Sequence, residues 1–168
     1  MKLIRIFYHK MDLKLLWAVL LTIMPVTELR AGLPVAILYA IKQDIPLWLI
    51  FSLIVLINIL IIFFIFYFLD NLHHIFLKFN PYKKLFEKYL GRFQKKVDRF
   101  EGKYKVLGPL ALVLFVAIPL PGTGAWTGCL LSWLLDLDRK KSILAISIGV
   151  LIAGLFILFG TLGFLNLL

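Results

Sequence analysis

Two of the four long apolar stretches in this chain are broken near their middles, and most of the resulting pieces are half a membrane long. Residues 13–41 are divided by Pro25-Val26-Thr27-Glu28-Leu29-Arg30-Ala31-Gly32-Leu33-Pro34 into legs of twelve and seven residues. Residues 107–135 hold no charge, yet Pro119-Leu120-Pro121-Gly122-Thr123-Gly124 divides them into legs of about eleven to twelve. Eleven helical residues reach about 16 Å, roughly half of a 30 Å hydrocarbon core. Breaks at that depth survive only where protein or a water-filled cavity shelters the freed backbone. The expected structure is a pair of re-entrant helical hairpins whose tips meet near the midplane.

The other two apolar stretches are unbroken. Residues 45–69 and 142–168 carry no charge over 25 and 27 positions, and about 20 suffice to cross a bilayer. With 62% hydrophobic and 17% charged residues, the composition is that of an integral membrane protein. At 168 residues the chain is expected to form a single membrane domain. Its start, basic and then briefly apolar, imitates a signal peptide. No small-x-small site follows, however, and Asp12 interrupts the basic part, so it is read as mature sequence.

Each half then has the same order: broken hairpin, short polar loop, unbroken span. The first half is 1–69, with hairpin 13–41 and span 45–69; the second is 107–168, with hairpin 107–135 and span 142–168. A re-entrant hairpin leaves the membrane where it entered, whereas the following span crosses it. The halves are therefore inverted, an arrangement known from secondary transporters. Ala145, Gly149 and Ala153 form a small-residue stripe suited to close helix packing. Asn58, alone in its span, reads as an interhelical hydrogen-bond donor or an accessory substrate contact.

Residues 70–106 join the halves and hold ten of the nineteen Lys and Arg residues. Phe86, Phe93 and Phe100 recur every seven positions, as do Leu90, Val97 and Tyr104, while cations fill the other faces. This predicts a basic amphipathic helix lying on the membrane surface. The net charge of +10 thus points to anionic lipid head groups and away from nucleic acid. His73 and His74 are adjacent, point apart on a helix and predict no shared metal. With both hairpins re-entrant, the positive-inside rule puts this connector in the cytoplasm and the termini outside; with both hairpins crossing completely, the termini would be cytoplasmic as well.

Glu28 and Arg30 are the only charges between Lys14 and Lys42. Their bland reading is a mutually neutralising pair that shapes the break. Intramembrane charges, however, usually mark substrate or ion paths. The planar fork of Arg30 suits a phosphate head group, and Glu28 then serves for proton coupling or gating. In the second break, Gly122 and Gly124 permit tight turning, and Thr123 and Thr127 add hydroxyls. The helix starting near Ala125 would present free N–H groups to an anion. No protease or nucleotide-binding motif is present, so no catalytic residues, metal or cofactor are expected. The lone Cys129 excludes an intrachain disulfide and reads as a packing residue.

The two breaks resemble those of the small multidrug export protein family, related to the DedA/VTT membrane protein superfamily. The residues concerned are Glu28-Leu29-Arg30-Ala31-Gly32-Leu33-Pro34 and Ala117-Ile118-Pro119-Leu120-Pro121-Gly122-Thr123-Gly124-Ala125-Trp126-Thr127-Gly128. The resemblance implies inverted re-entrant halves and transport of polyprenyl phosphate or phospholipid, with proton dependence and with Arg139 as an accessory basic residue. The leading expectation is a flippase for a phosphate-headed lipid in a prokaryotic cytoplasmic membrane, multi-pass, with a homo-oligomer left open. The alternatives are a proton-coupled exporter of small cationic drugs and a structural or scaffolding membrane protein.

Overall fold

A computed structural model describes residues 13–72, 107–120 and 122–167, together with 80, 81, 84, 91, 100–102 and 104. The described residues contain helices and no strands: α1 (Leu13–Ile23), α2 (Glu28–Lys42), α3 (Leu47–Tyr67) with a π-turn (Phe68–Leu72), α4 (Pro109–Ala117), α5 (Ala125–Leu134) and α6 (Arg139–Asn166). Most of the expected connector, including Phe86, Phe93 and Val97, lies outside the described residues, as do His73, His74 and Pro121. Within its described part, Phe100 is buried edge-on against Phe115 of α4, ring centroids 5.5 Å apart.

The helices α3 with its π-turn and α6 are long and apolar enough to cross a membrane. Their outer faces expose Phe63, Phe64, Phe156 and Phe159 by 51–67%. Large bare aromatic surface of this kind suits lipid and would be a liability in water. Arg139, at the start of α6, bonds Asp70 beyond the end of α3 at 2.6 Å, so the two spans run antiparallel.

The helices α1 and α2 pack side by side, antiparallel, as a helical hairpin. Gly32 is what lets them touch. A Cβ at Gly32 would overlap the Thr22 hydroxyl and lie 2.8 Å from the Ala18 carbonyl oxygen. The break is shorter than the prolines predict. Pro34 lies inside α2, so the legs are 11 and 15 residues long. An interior proline takes the donor from one carbonyl, here that of Arg30, a cost that apolar helices packed among others do sustain. The second pair differs from the first: α4 packs mainly along α6, with Val113 and Val116 against Gly149, and meets α5 only briefly. The small stripe Ala145, Gly149 and Ala153 faces inward along α6.

Both α2 and α5 end in the same way. Asp44 and Asp136 have φ of 53° and 48°. The next amide reaches back five residues, Ile45 N–H to the Ala40 oxygen at 2.9 Å and Leu137 N–H to the Ser132 oxygen at 3.0 Å. This left-handed cap absorbs terminal carbonyls and turns the chain at once into the following span. The second span begins at Arg139, three residues earlier than its charge-free run. There Asp138 caps it by accepting the Lys141 N–H at 2.8 Å.

Candidate functional site

The two breaks meet. The first tip, residues 24–28, ends α1 inside apolar surroundings, where every orphaned carbonyl needs a donor. The Met24 N–H goes to the Leu20 oxygen at 3.1 Å, and the Thr27 hydroxyl to the Leu21 oxygen at 2.7 Å. Asn58 Nδ2 of α3 donates to the Thr22 oxygen at 3.2 Å, and the Trp126 indole of α5 to the Ile23 oxygen at 3.0 Å. The Glu28 N–H closes the turn on the Met24 oxygen at 3.0 Å. The tip itself and two distant helices, α3 and α5, thus combine to finish one helix end.

Glu28 itself is held at φ 45°, a left-handed conformation that costs a residue with a Cβ about 1–2 kcal/mol. What it gains lies across the tip. Its Oε2 accepts the Ala125 N–H and its Oε1 the Trp126 N–H, both at 3.1 Å. These are the first two amides of α5, which has no side-chain cap of its own. A carboxylate on a helix N-terminus is favoured by hydrogen bonding and by the helix dipole together. Gly124 makes the seat available, because a Cβ there would fall inside the Glu28 carboxylate. Glu28 is 4% exposed.

Arg30, two residues beyond, reaches the same second tip. Its Nη2 donates to the Thr123 hydroxyl oxygen at 2.9 Å. That hydroxyl lies 2.6 Å from the Ile118 oxygen and 2.7 Å from the Leu120 oxygen, and its single proton serves one of them at a time. Glu28 and Arg30 do not pair directly with each other; each reaches across to the second tip. Both α2 and α5 begin here and run away in opposite directions, so two positive helix ends and one guanidinium surround one carboxylate.

The expected free N–H groups at Ala125 are therefore not free: Glu28 occupies them. Backbone spacing alone conceals this, because the donor and acceptor are 97 residues apart. Arg30, Thr123, Gly124, Ala125 and Glu28 come together in this clasp. Gly122 lies in the turn beside it at φ 76°, and Thr127 is buried along α5. Asn58 stands beneath the clasp as a donor to α1, and its Oδ1 has no partner among the described residues. Arg139 lies elsewhere, at the outer end of the spans, with its guanidinium 4.0 Å over the Phe66 ring. Trp126 and Thr27 were not among the predicted site residues; the signal was the need of a broken helix end for donors. Among the described residues no group of His, Cys, Asp or Glu is gathered to hold a metal, and Cys129 is a buried free thiol.

A family model described as "Putative small multi-drug export protein" matches residues 28–156. No curated protein and no solved structure matches the chain. The matched region opens on Glu28 and takes in Arg30, Asn58 and the whole second tip. With two exposed apolar helices and a match over most of its length, the chain is a membrane protein that belongs to the small multi-drug export family, whose name is that of a transporter.

Proposed function

We propose that this transporter moves a phosphate-headed lipid, of the polyprenyl phosphate or phospholipid kind, across the bilayer, with Glu28 as an internal anion that the head group displaces. The observation that carries the reading is the seating of the Glu28 carboxylate on the Ala125 and Trp126 amides, beside Arg30. A site already tuned to one oxyanion suits another of similar geometry. Protonation of Glu28 removes the charge that α5 holds, which frees the two amides, beside Arg30 on Thr123, for the incoming phosphate. Return of the carboxylate expels the phosphate, so carboxylate and head group alternate on the amides and the proton is held while the head group is bound. A cationic substrate would meet Arg30 first and find the carboxylate covered.

The architecture proposed with this function is one membrane domain over residues 1–168, with inverted halves 1–69 and 107–168. Hairpins 13–41 and 107–135 are re-entrant, and the basic connector 70–106 gathers anionic lipid at the interface. The matching caps at Asp44 and Asp136 support a repeated half. Kinship with the DedA/VTT superfamily and residence in a prokaryotic cytoplasmic membrane, multi-pass, belong to the same proposal.

A second reading, proton-coupled efflux of small cationic compounds, is favoured by the family's description and by the buried carboxyl. Proteoliposomes separate the two. Transbilayer movement of a fluorescent polyprenyl phosphate is expected to fall in both Arg30→Ala and Glu28→Gln. Unchanged movement in Arg30→Ala rules out the head-group role. Drug resistance that needs Glu28 but not Arg30 favours efflux.

A further inference from the structure

The face of α2 that bears Arg30 continues into an apolar groove. Arg30, Pro34 and Leu38 follow at four-residue intervals and lie one above another on the helix. Pro34 and Leu38 form one wall of a groove of about 450 Å³; Ile157, Gly160, Thr161 and Phe164 of α6 are on the other. At its inner end, Leu29 lies 3.2 Å from where a Cβ on Gly154 would stand. The helices therefore run parallel from the clasp to the ends of α2 and α6. From Arg30 to Leu38 the path is about 12 Å.

The groove is shaped by what its residues lack. Pro34 has no N–H and Gly160 no side chain. The Thr161 hydroxyl donates to the Ile157 oxygen of its own helix at 2.7 Å, so its proton is not offered to a ligand. Leu38 and Phe164 are 42% and 64% exposed. A molecule that fills this space from the clasp outward must be anionic at one end and apolar along its length.

We infer that the groove seats the hydrocarbon chain of the amphiphile whose head group the clasp receives, an inference that rests on the head-group reading above. Gly160 provides a clean test, because a Cβ there meets nothing within 4 Å, and the same holds for Gly163, which does not line the groove. Full-length protein in phosphatidylcholine vesicles is photolabelled with a long-chain alkyl phosphate carrying a diazirine in its chain, and in parallel with the corresponding uncharged alcohol. Gly160→Leu is expected to cut labelling by the phosphate about tenfold, the loss that follows when a couple of methylenes lose their contacts. Gly163→Leu is expected to label like wild type, and Arg30→Gln to lose phosphate labelling.

Unchanged labelling in Gly160→Leu overturns the groove while leaving the Arg30 result to judge the head group. Labelling lost in Gly160→Leu but kept in Arg30→Gln supports a chain site and overturns the head-group assignment. Equal labelling by alcohol and phosphate in every variant marks ordinary annular lipid and overturns the inference.

Discussion

The Glu28 carboxylate caps a helix that begins 97 residues later, taking the Ala125 N–H at 3.1 Å. Gly124 is the residue that leaves room for it. Gly124→Ala is therefore expected to displace the carboxylate from both amides and to lower stability by about 3 kcal/mol, the scale of losing buried charge-assisted bonds. Glu28→Ala should cost a similar amount, and the double variant little more than either single one. Thermal unfolding in detergent measures all three. Additive losses would mean that Gly124 matters for some other reason.

The Trp126 indole supplies the donor for the last carbonyl of α1, that of Ile23. Trp126→Phe keeps an aromatic ring and removes the bond. The expected cost is about 1 kcal/mol, with faster amide exchange confined to residues 20–28. Exchange that is unchanged there, or raised equally throughout α5, contradicts the capping role.

Close approach of α1 and α2 depends on Gly32. Gly32→Ala pushes a methyl group into the Thr22 hydroxyl and toward the Ala18 oxygen, an overpacking expected to cost about 1–3 kcal/mol. Thr22→Ala should relieve part of this and not all, because the Ala18 carbonyl stays in place. A double variant as unstable as Gly32→Ala, or fully restored, would show the contact to be elsewhere.

The Asp70–Arg139 pair joins the outer ends of the two spans, with side chains 41% and 37% exposed. Pairs that wet contribute little, so a double-mutant cycle should give a coupling below about 1 kcal/mol that fades with salt. As a geometric check, Asp70→Cys with Arg139→Cys in a Cys129→Ser background is expected to be bridged by a short bifunctional thiol reagent, because a contact made through an Arg side chain leaves the backbones too far apart for a direct disulfide. Failure to crosslink would argue against the antiparallel spans.

Much of the fold is legible in the sequence alone. Uncharged runs at 45–69 and 142–168 mark spans because hydrocarbon admits few alternatives, and the observed helices depart from them by only a few residues. The breaks at 25–34 and 119–124 were equally visible, since proline and glycine interrupt helices locally. Pro34 misled: whether an interior proline ends a helix depends on what neighbouring elements tolerate. The lean of α4 onto α6 was also hidden, because the apolar faces of α4 fit either neighbour.

Of the site, the sequence determined which residues are unusual enough in apolar surroundings to require a partner or a turn, namely Glu28, Arg30, the glycines of the second tip, and Asn58. It could not say which partner each would take. Arg30, two positions from Glu28, and the amides of Ala125 and Trp126 are all chemically suitable for a carboxylate. Tertiary structure decided in favour of the amides, for a physical reason. The left-handed backbone at Glu28 and the bare Cα of Gly124 let two oxygens meet two amides at once in a buried place. The same packing turned the anion site foreseen at Ala125 into one that the chain fills with its own side chain.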